Sequence, residues 1–196
     1  AWARATLTLA AEGPFLINDP ALATLSGFDH APLLDWPEGN AQPVLPGASL
    51  RGALRAQAER IARTIALLLA ADKTGGDGVE AVAAAFALHC PACDPLQSDA
   101  DRPLQSCAAR LETLAPRDRR GVLEQGRVVQ ELCLACRLFG SSWQGSRLRV
   151  EDGRYLGGAA AAQERKVHDF LAIDRFTGGG ADHAKFDAVS LWRPRF

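Results

Sequence analysis

The sequence of 196 residues contains no methionine, only three lysines, and no apolar run long enough to cross a bilayer as a helix. The last absence, with no signal-peptide layout at the N-terminus, excludes an integral helical membrane protein and predicts a cytoplasmic one. A net charge of −1 excludes a uniformly basic nucleic-acid binder but leaves room for a local basic groove. Arginine supplies 19 of the 22 basic residues. Its forked guanidinium suits phosphate, although an Ala- and Arg-rich composition also follows from a GC-rich genome. The chain opens on AWARATLTLA and stops at SLWRPRF, straight after a strand-like segment. Together with the missing methionine, this reads as a segment of a longer multidomain polypeptide.

What is present is an ordinary globular composition, 47% apolar and 23% charged, enough to bury a sizeable core. Alternation over 5–10 predicts a strand, and the Pro-, Gly-, Asp- and Asn-rich stretch 18–42 a long loop. Ser49 is placed to cap a helix over 50–71, whose apolar face would be Leu50, Leu54, Ile61, Ile65 and Leu68. A second helix is predicted over 79–89. LRVEDGRYL reads as a hairpin turning at Asp152-Gly153, and LGGAAAAQ as a linker. VHDFLAIDRFTGGGADHAKFDAVSLW reads as a long hairpin around a Gly-rich loop. Mixed helices and hairpins point to α+β.

The cysteines fall into two C-x-x-C pairs, CPAC and CLAC, with 39 residues between them, plus Cys107. A C-x-x-C turn offers two thiolates to one metal without strain, so Cys90, Cys93, Cys133 and Cys136 predict a structural zinc site. In a cytoplasmic chain disulfides are the weaker explanation. The metal would staple the base of an insertion spanning 72–143, whose Pro-rich stretch has too few apolar residues to fold alone. Cys107 or His89 could replace one ligand.

PGASLRGALR, CLACRLFGSSW and AIDRFTGGGADHAKFDAV follow one another in this order. On these motifs the chain resembles RAMP-superfamily backbone subunits of type III CRISPR effector complexes, and most of all the domains of fused, single-chain type III-E effectors. The likeness runs from about Thr6 to Trp192 and implies one RAMP-type domain over 1–196. Its fold would be a ferredoxin-like, RRM-like core with a zinc-stapled insertion and a β-hairpin thumb over 166–192, truncated on the C-terminal side. The implied function is binding of guide RNA (crRNA) and metal-dependent endoribonuclease cleavage of complementary target RNA. Implied partners are those RNAs and neighbouring RAMP domains, with a caspase-like protease left open and no membrane.

The resemblance also implies roles for residues. RNA-cutting members carry an aspartate in the loop ahead of the glycine-serine turn, and Asp29 stands there, with Asp19 and Asp35 as competing carboxylates. One carboxylate can suffice, because RNA brings its own 2′-hydroxyl nucleophile and its phosphates complete a Mg²⁺ shell. His30 is a candidate acid or base, though a surface histidine is its more ordinary reading. Ser49, Arg51 and Arg55 would grip guide phosphates at a helix start, where free N–H groups suit anions. Arg175, Thr177, Gly178, Gly179 and Lys185 would form a thumb wedged into the guide–target duplex. Phe176 and Phe186 could stack on bases, with core packing the more ordinary fate of each. Two alternatives from the same residues are a non-catalytic crRNA-binding scaffold and a zinc-stapled protein-interaction domain.

Overall fold

The computed structural model describes residues 3–75, 78–99, 104–114, 116–124, 128–157 and 165–196. They fall into two units, one of Ala1–Gly47 with Glu151–Phe196 and one of Ala48–Val150. Among the described residues no helix is long and apolar enough to cross a membrane.

The first unit is organised by a long antiparallel ribbon of β5 (Arg165–Ile173) and β6 (Gly180–Trp192). This is the long hairpin that the alternating pattern predicts. At its tip the Asp174 N–H donates to the Gly179 carbonyl at 2.8 Å, and the Gly178 N–H donates to Asp174 at 2.9 Å. Gly178 has φ +68°, in the left-handed region where a side chain is strained, so glycine is favoured there. Near the base, β6 gains neighbours on its other edge. β1 (Pro14–Phe15) pairs with it at Trp192 and Leu191, and His30 bridges it in parallel at Ala188. Ala188–Leu191 are correspondingly buried.

A second sheet has the order β2 (Leu34–Asp35), β3 (Gln42–Leu45), β4 (Gly153–Arg154). Helices and antiparallel sheets are thus mixed, an α+β arrangement. Three local expectations are corrected. The strand predicted over 5–10 is reduced to an isolated bridge, Ala10 to Arg195, flanked by paired bonds between Leu9 and Phe196. The 18–42 loop contains a helix, α1 (Pro20–Ser26): the Asp19 carboxylate accepts from the N–H groups of Ala21 and Leu22, and left-handed Gly27 ends it. The Asp152-Gly153 turn does not make a local hairpin. Gly153 and Arg154 pair with β3 instead, and the Asp152 carboxylate accepts from the Gly47 N–H at 2.7 Å.

The second unit is helical: α2 (Gly47–Lys73, whose first residue belongs to the other unit), α3 (Val79–His89), α4 (Cys107–Glu112), α5 (Pro116–Glu124), α6 (Val128–Glu131) and α7 (Leu134–Phe139). Because Asp152 takes the first N–H of α2, the helix begins at Gly47, and Ser49 lies inside its first turn rather than capping it. The predicted apolar face is also corrected. Ile65 and Leu68 are 52% and 65% exposed, while the buried positions include Glu59, Ala66 and Ala70. Ile61, Ile65 and Leu69 instead line an open groove of about 500 Å³ with Ala85 and Pro91. Small alanines on the buried face let neighbouring chain approach closely, and Glu59 sits among arginines that compensate its charge.

The unit's core is small. Cys93, Cys107, Leu111, Leu132 and Cys136 form it, with Leu114, Val122, Val128, Cys133 and Trp143 packed around them. Three of its five buried members are cysteines.

Candidate metal centre and hairpin surface

The sulfurs of Cys93, Cys107, Cys133 and Cys136 all lie within 4.8 Å of one another, and the first, second and fourth of these residues are buried. The spacing argument put Cys90 in this set; the structure puts Cys107 there. Cys90 ends α3, and its thiol points to the Ala92 carbonyl at 3.3 Å. Cys107 opens α4, whose cap is Ser106, accepting from the Ala109 N–H at 3.0 Å. The side chain of His89 lies outside the described residues.

The geometry suits a tetrahedral metal. The Cys93 and Cys136 sulfurs are 3.6 Å apart. That is far beyond a disulfide bond of about 2.05 Å, and close to the sulfur–sulfur edge of about 3.8 Å that a zinc tetrathiolate requires. Backbone N–H groups point at the sulfurs: Cys93 and Cys136 donate to the Cys133 sulfur, each at 3.4 Å, and Cys133 donates to that of Cys107 at 3.2 Å. Such donors stabilise thiolates. Crowding splits the protons unequally. The bonds from Cys107, Cys136 and Cys93 hold the Cys133 thiol far below its ordinary value. Contacts with Cys107 and Cys133 push Cys93 and Cys136 up. Cys107 ends at about 7, because Cys136 and Cys93 together outweigh the opposing effect of Cys133. Four thiols this close cannot all ionise without a cation among them, and a divalent soft-ligand ion such as zinc fits.

CLACRLFG builds one wall of this centre. Cys133 caps α7 with its sulfur, Phe139 is buried, and Gly140 ends the helix with φ +93°. A Cβ on Gly140 would meet the Ser146 nitrogen at 2.9 Å, so no side chain fits. The Gly140 carbonyl accepts from Arg55 Nη1 at 2.8 Å. The same guanidinium donates through Nε to Glu59 at 2.8 Å and through Nη2 to the Cys136 sulfur at 3.5 Å. Burial alone would lower the Arg55 value, but Glu59 and Cys136 more than reverse it and raise it. Arg55 therefore spends its fork inside the protein, whereas the expectation gave it to RNA phosphate. Ser49 and Arg51, the other two residues of that expectation, are exposed.

Asp29 is exposed and fastened to the ribbon. Its Oδ2 accepts from the Asp187 N–H at 2.9 Å, while its own N–H donates to the Asp187 carboxylate at 2.8 Å. His30 continues the pairing, donating to the Asp187 carbonyl and accepting from the Val189 N–H. Its ring meets Phe186 edge-on at 5.7 Å. Of the competing carboxylates, Asp19 caps α1, and Asp35 accepts from the Trp36 N–H.

At the ribbon tip, Arg175, Thr177, Gly178 and Gly179 are exposed, and Phe176 is 99% exposed. Core packing, the ordinary reading of Phe176, is thereby corrected. Phe186 stacks on Phe170 across the strands at 4.8 Å and 14°, leaving the two rings 42% and 44% exposed. Lys185 forms a surface pair with Asp169 at 3.6 Å. Sequence reasoning missed Glu59, Arg63 and Asp187. The first two had a signal in the R-x-x-x-E-x-x-x-R spacing over 55–63, one helical stripe. Asp187 had none, because its partner lies 158 residues away.

A mixed α+β chain with a four-cysteine centre and a long, bare-tipped ribbon is the class of protein that these features define. The sequence matches the RAMP superfamily across residues 32–194, most of its length, and the chain belongs to that superfamily. The family is associated with CRISPR-related RNA binding, and some of its members are RNases. No curated protein matches the sequence.

Proposed function

We propose that this chain is an RNA-guided, RNA-targeting domain of a type III CRISPR effector, most similar to those of single-chain type III-E effectors. On this reading the core is ferredoxin-like, residues 72–143 are a zinc-bound insertion and 166–192 a thumb. The domain works in the cytoplasm beside further RAMP domains, and a caspase-like protease is a partner to look for. Ser49 and Arg51 hold guide phosphates, with Arg51 rather than Arg55 as the available arginine of that helix start. Arg175, Thr177, Gly178, Gly179 and Lys185 address the duplex, and Phe176 is the wedge.

The observation that carries this reading is the ribbon itself, with a fully exposed aromatic ring at its tip and an exposed carboxylate clipped to its stem. A phenylalanine in water gains from leaving it, and bases offer flat surfaces on which to do so. The Asp29 Oδ1 has no partner among the described residues, so that oxygen is available to take the proton of a 2′-hydroxyl as it attacks the neighbouring phosphorus and the 5′-oxygen leaves. The only group of three or more potential metal ligands among the described residues is the cysteine cluster. A Mg²⁺ ion for cleavage would accordingly be held mainly by substrate phosphates and water, leaving Asp29 Oδ1 to act as the base.

A second reading, a crRNA-binding scaffold that does not cut, is favoured by one observation: Asp29 already has a structural task in bridging to Asp187. Asp29→Asn separates the two readings, since it removes the charge but keeps an oxygen to accept from Asp187. In the guide-loaded effector, it should lower cleavage opposite this domain by ~10²–10⁴-fold with target binding intact. Cleavage that survives assigns the domain to scaffolding. RNA binding insensitive to salt would instead favour a protein-interaction role, since phosphate contacts release counterions.

A further inference from the structure

We infer that Arg55 is an outer-sphere ligand of the cysteine centre, and that the Arg55–Glu59–Arg63 stripe of α2 clamps both halves of that centre to the helix. The inference rests on the metal reading of the four cysteines.

A divalent ion held by four thiolates carries two surplus negative charges in a buried site, which is costly unless nearby groups offset them. Arg55 is the cation in contact. Its Nη2 donates to the Cys136 sulfur, its Nη1 to the carbonyl that ends the same C-x-x-C helix, and its Nε to Glu59. Eight residues further along α2, about 12 Å of helix, Arg63 donates to the Cys93 carbonyl, in the other half of the centre. Glu59, 5% exposed, lies between the two arginines and pairs with both, at 2.8 Å to Arg55 and 3.4 Å to Arg63. A buried carboxylate with two guanidiniums fixes their direction, so neither can swing away from the cysteines without stranding it. The two arms are unequal. Arg55 uses all three nitrogens, whereas Arg63 Nε is buried without a partner. Arg63 touches no sulfur, so it holds the frame while Arg55 also sets the charge.

The test uses the full chain loaded with Co²⁺, then Zn²⁺ in competition with a chromophoric chelator. Arg55→Ala should weaken metal binding by ~10–100-fold, the usual loss when an outer-shell partner is removed. It should also move the sulfur-to-Co²⁺ charge-transfer band to lower energy, because a thiolate relieved of its donor gives up an electron more readily. Arg55→Lys keeps the charge but not the three-way fork and should fall between. Arg63→Ala should leave the band unmoved. Binding and spectrum within twofold of wild type for both Arg55 variants would overturn the inference. If Arg55→Ala fails to fold, Arg55→Lys decides alone: a loss of more than about twofold supports the inference, and a smaller one overturns it. Wild-type protein that takes up no Co²⁺ removes the metal reading itself, and this inference with it.

Discussion

A single thiol distinguishes what the sequence makes legible from what it conceals. Two C-x-x-C pairs announce a four-sulfur site, and three of the four cysteines that cluster follow from spacing alone. The fourth does not, because spacing cannot tell which cysteine the path of the chain turns inward. Cys90 finishes α3 with its thiol on a local carbonyl, while Cys107, far from either pair, is carried in at the head of α4. Cys90→Ser should therefore leave Co²⁺ affinity unchanged. Cys107→Ser should reduce it by more than the ~100-fold that loss of an outer-shell partner can cost, measured by chelator competition. Asp29 is the converse case: its position in the loop was readable, but its partner was not, since nothing local in the sequence points from 29 to 187.

Among the elements, the ribbon was the most legible, because strict alternation around three glycines has few other solutions. The Asp152-Gly153 turn misled because its two features serve distant groups: the carboxylate goes to the start of α2, and the strand goes to β3. Helix α2 was correctly placed but turned the wrong way, since large apolar residues are ordinarily buried and here Ala66, Ala70 and Glu59 are, with Arg55 and Arg63 half-buried beside it. Two outcomes are expected at the ribbon tip. The Phe176 N–H donates to the Asp174 carboxylate at 2.8 Å, and this bond, ahead of smaller ones from Thr177, lowers the Asp174 value. A lowered carboxyl contributes order above its unfolded value and loses it as pH falls through the folded one, so Asp174 should titrate below 3.8 by NMR, with the tip loosening as it does. Phe176→Ala should leave thermal stability almost unchanged, since the ring touches little, yet weaken RNA binding in a filter or fluorescence assay. A stacked base contributes about 1–3 kcal/mol, hence a loss of roughly 5- to 150-fold.

For the molecule as a whole, stability is divided unevenly. The second unit has a core in which cysteines stand where aliphatic side chains would otherwise be, so a metal held there would make binding and folding one equilibrium. Chelation should raise amide exchange through α4 and α7 to that of an unfolded segment, while the β5–β6 ribbon keeps its protection; hydrogen-exchange mass spectrometry reads both. An unaltered α7 after complete metal removal would show that packing alone holds this unit. The composition points the same way: with few apolar residues between the cysteine pairs, a bound metal would be a main source of stability there.

The ribbon is fastened at one end only. From Ala188 to Trp192, β6 has neighbours on both edges, but from Gly180 to Lys185 its only strand partner among the described residues is β5. Rigidity must fall off along its length, since a pair of strands in water is only marginally held together. The part that would meet a partner first is thus the part with the least fixed shape, anchored by a buried stem paired on both edges. Such a finger can fit itself to irregular targets, but each engagement has to bear the entropy of stilling it, and departure becomes correspondingly quick.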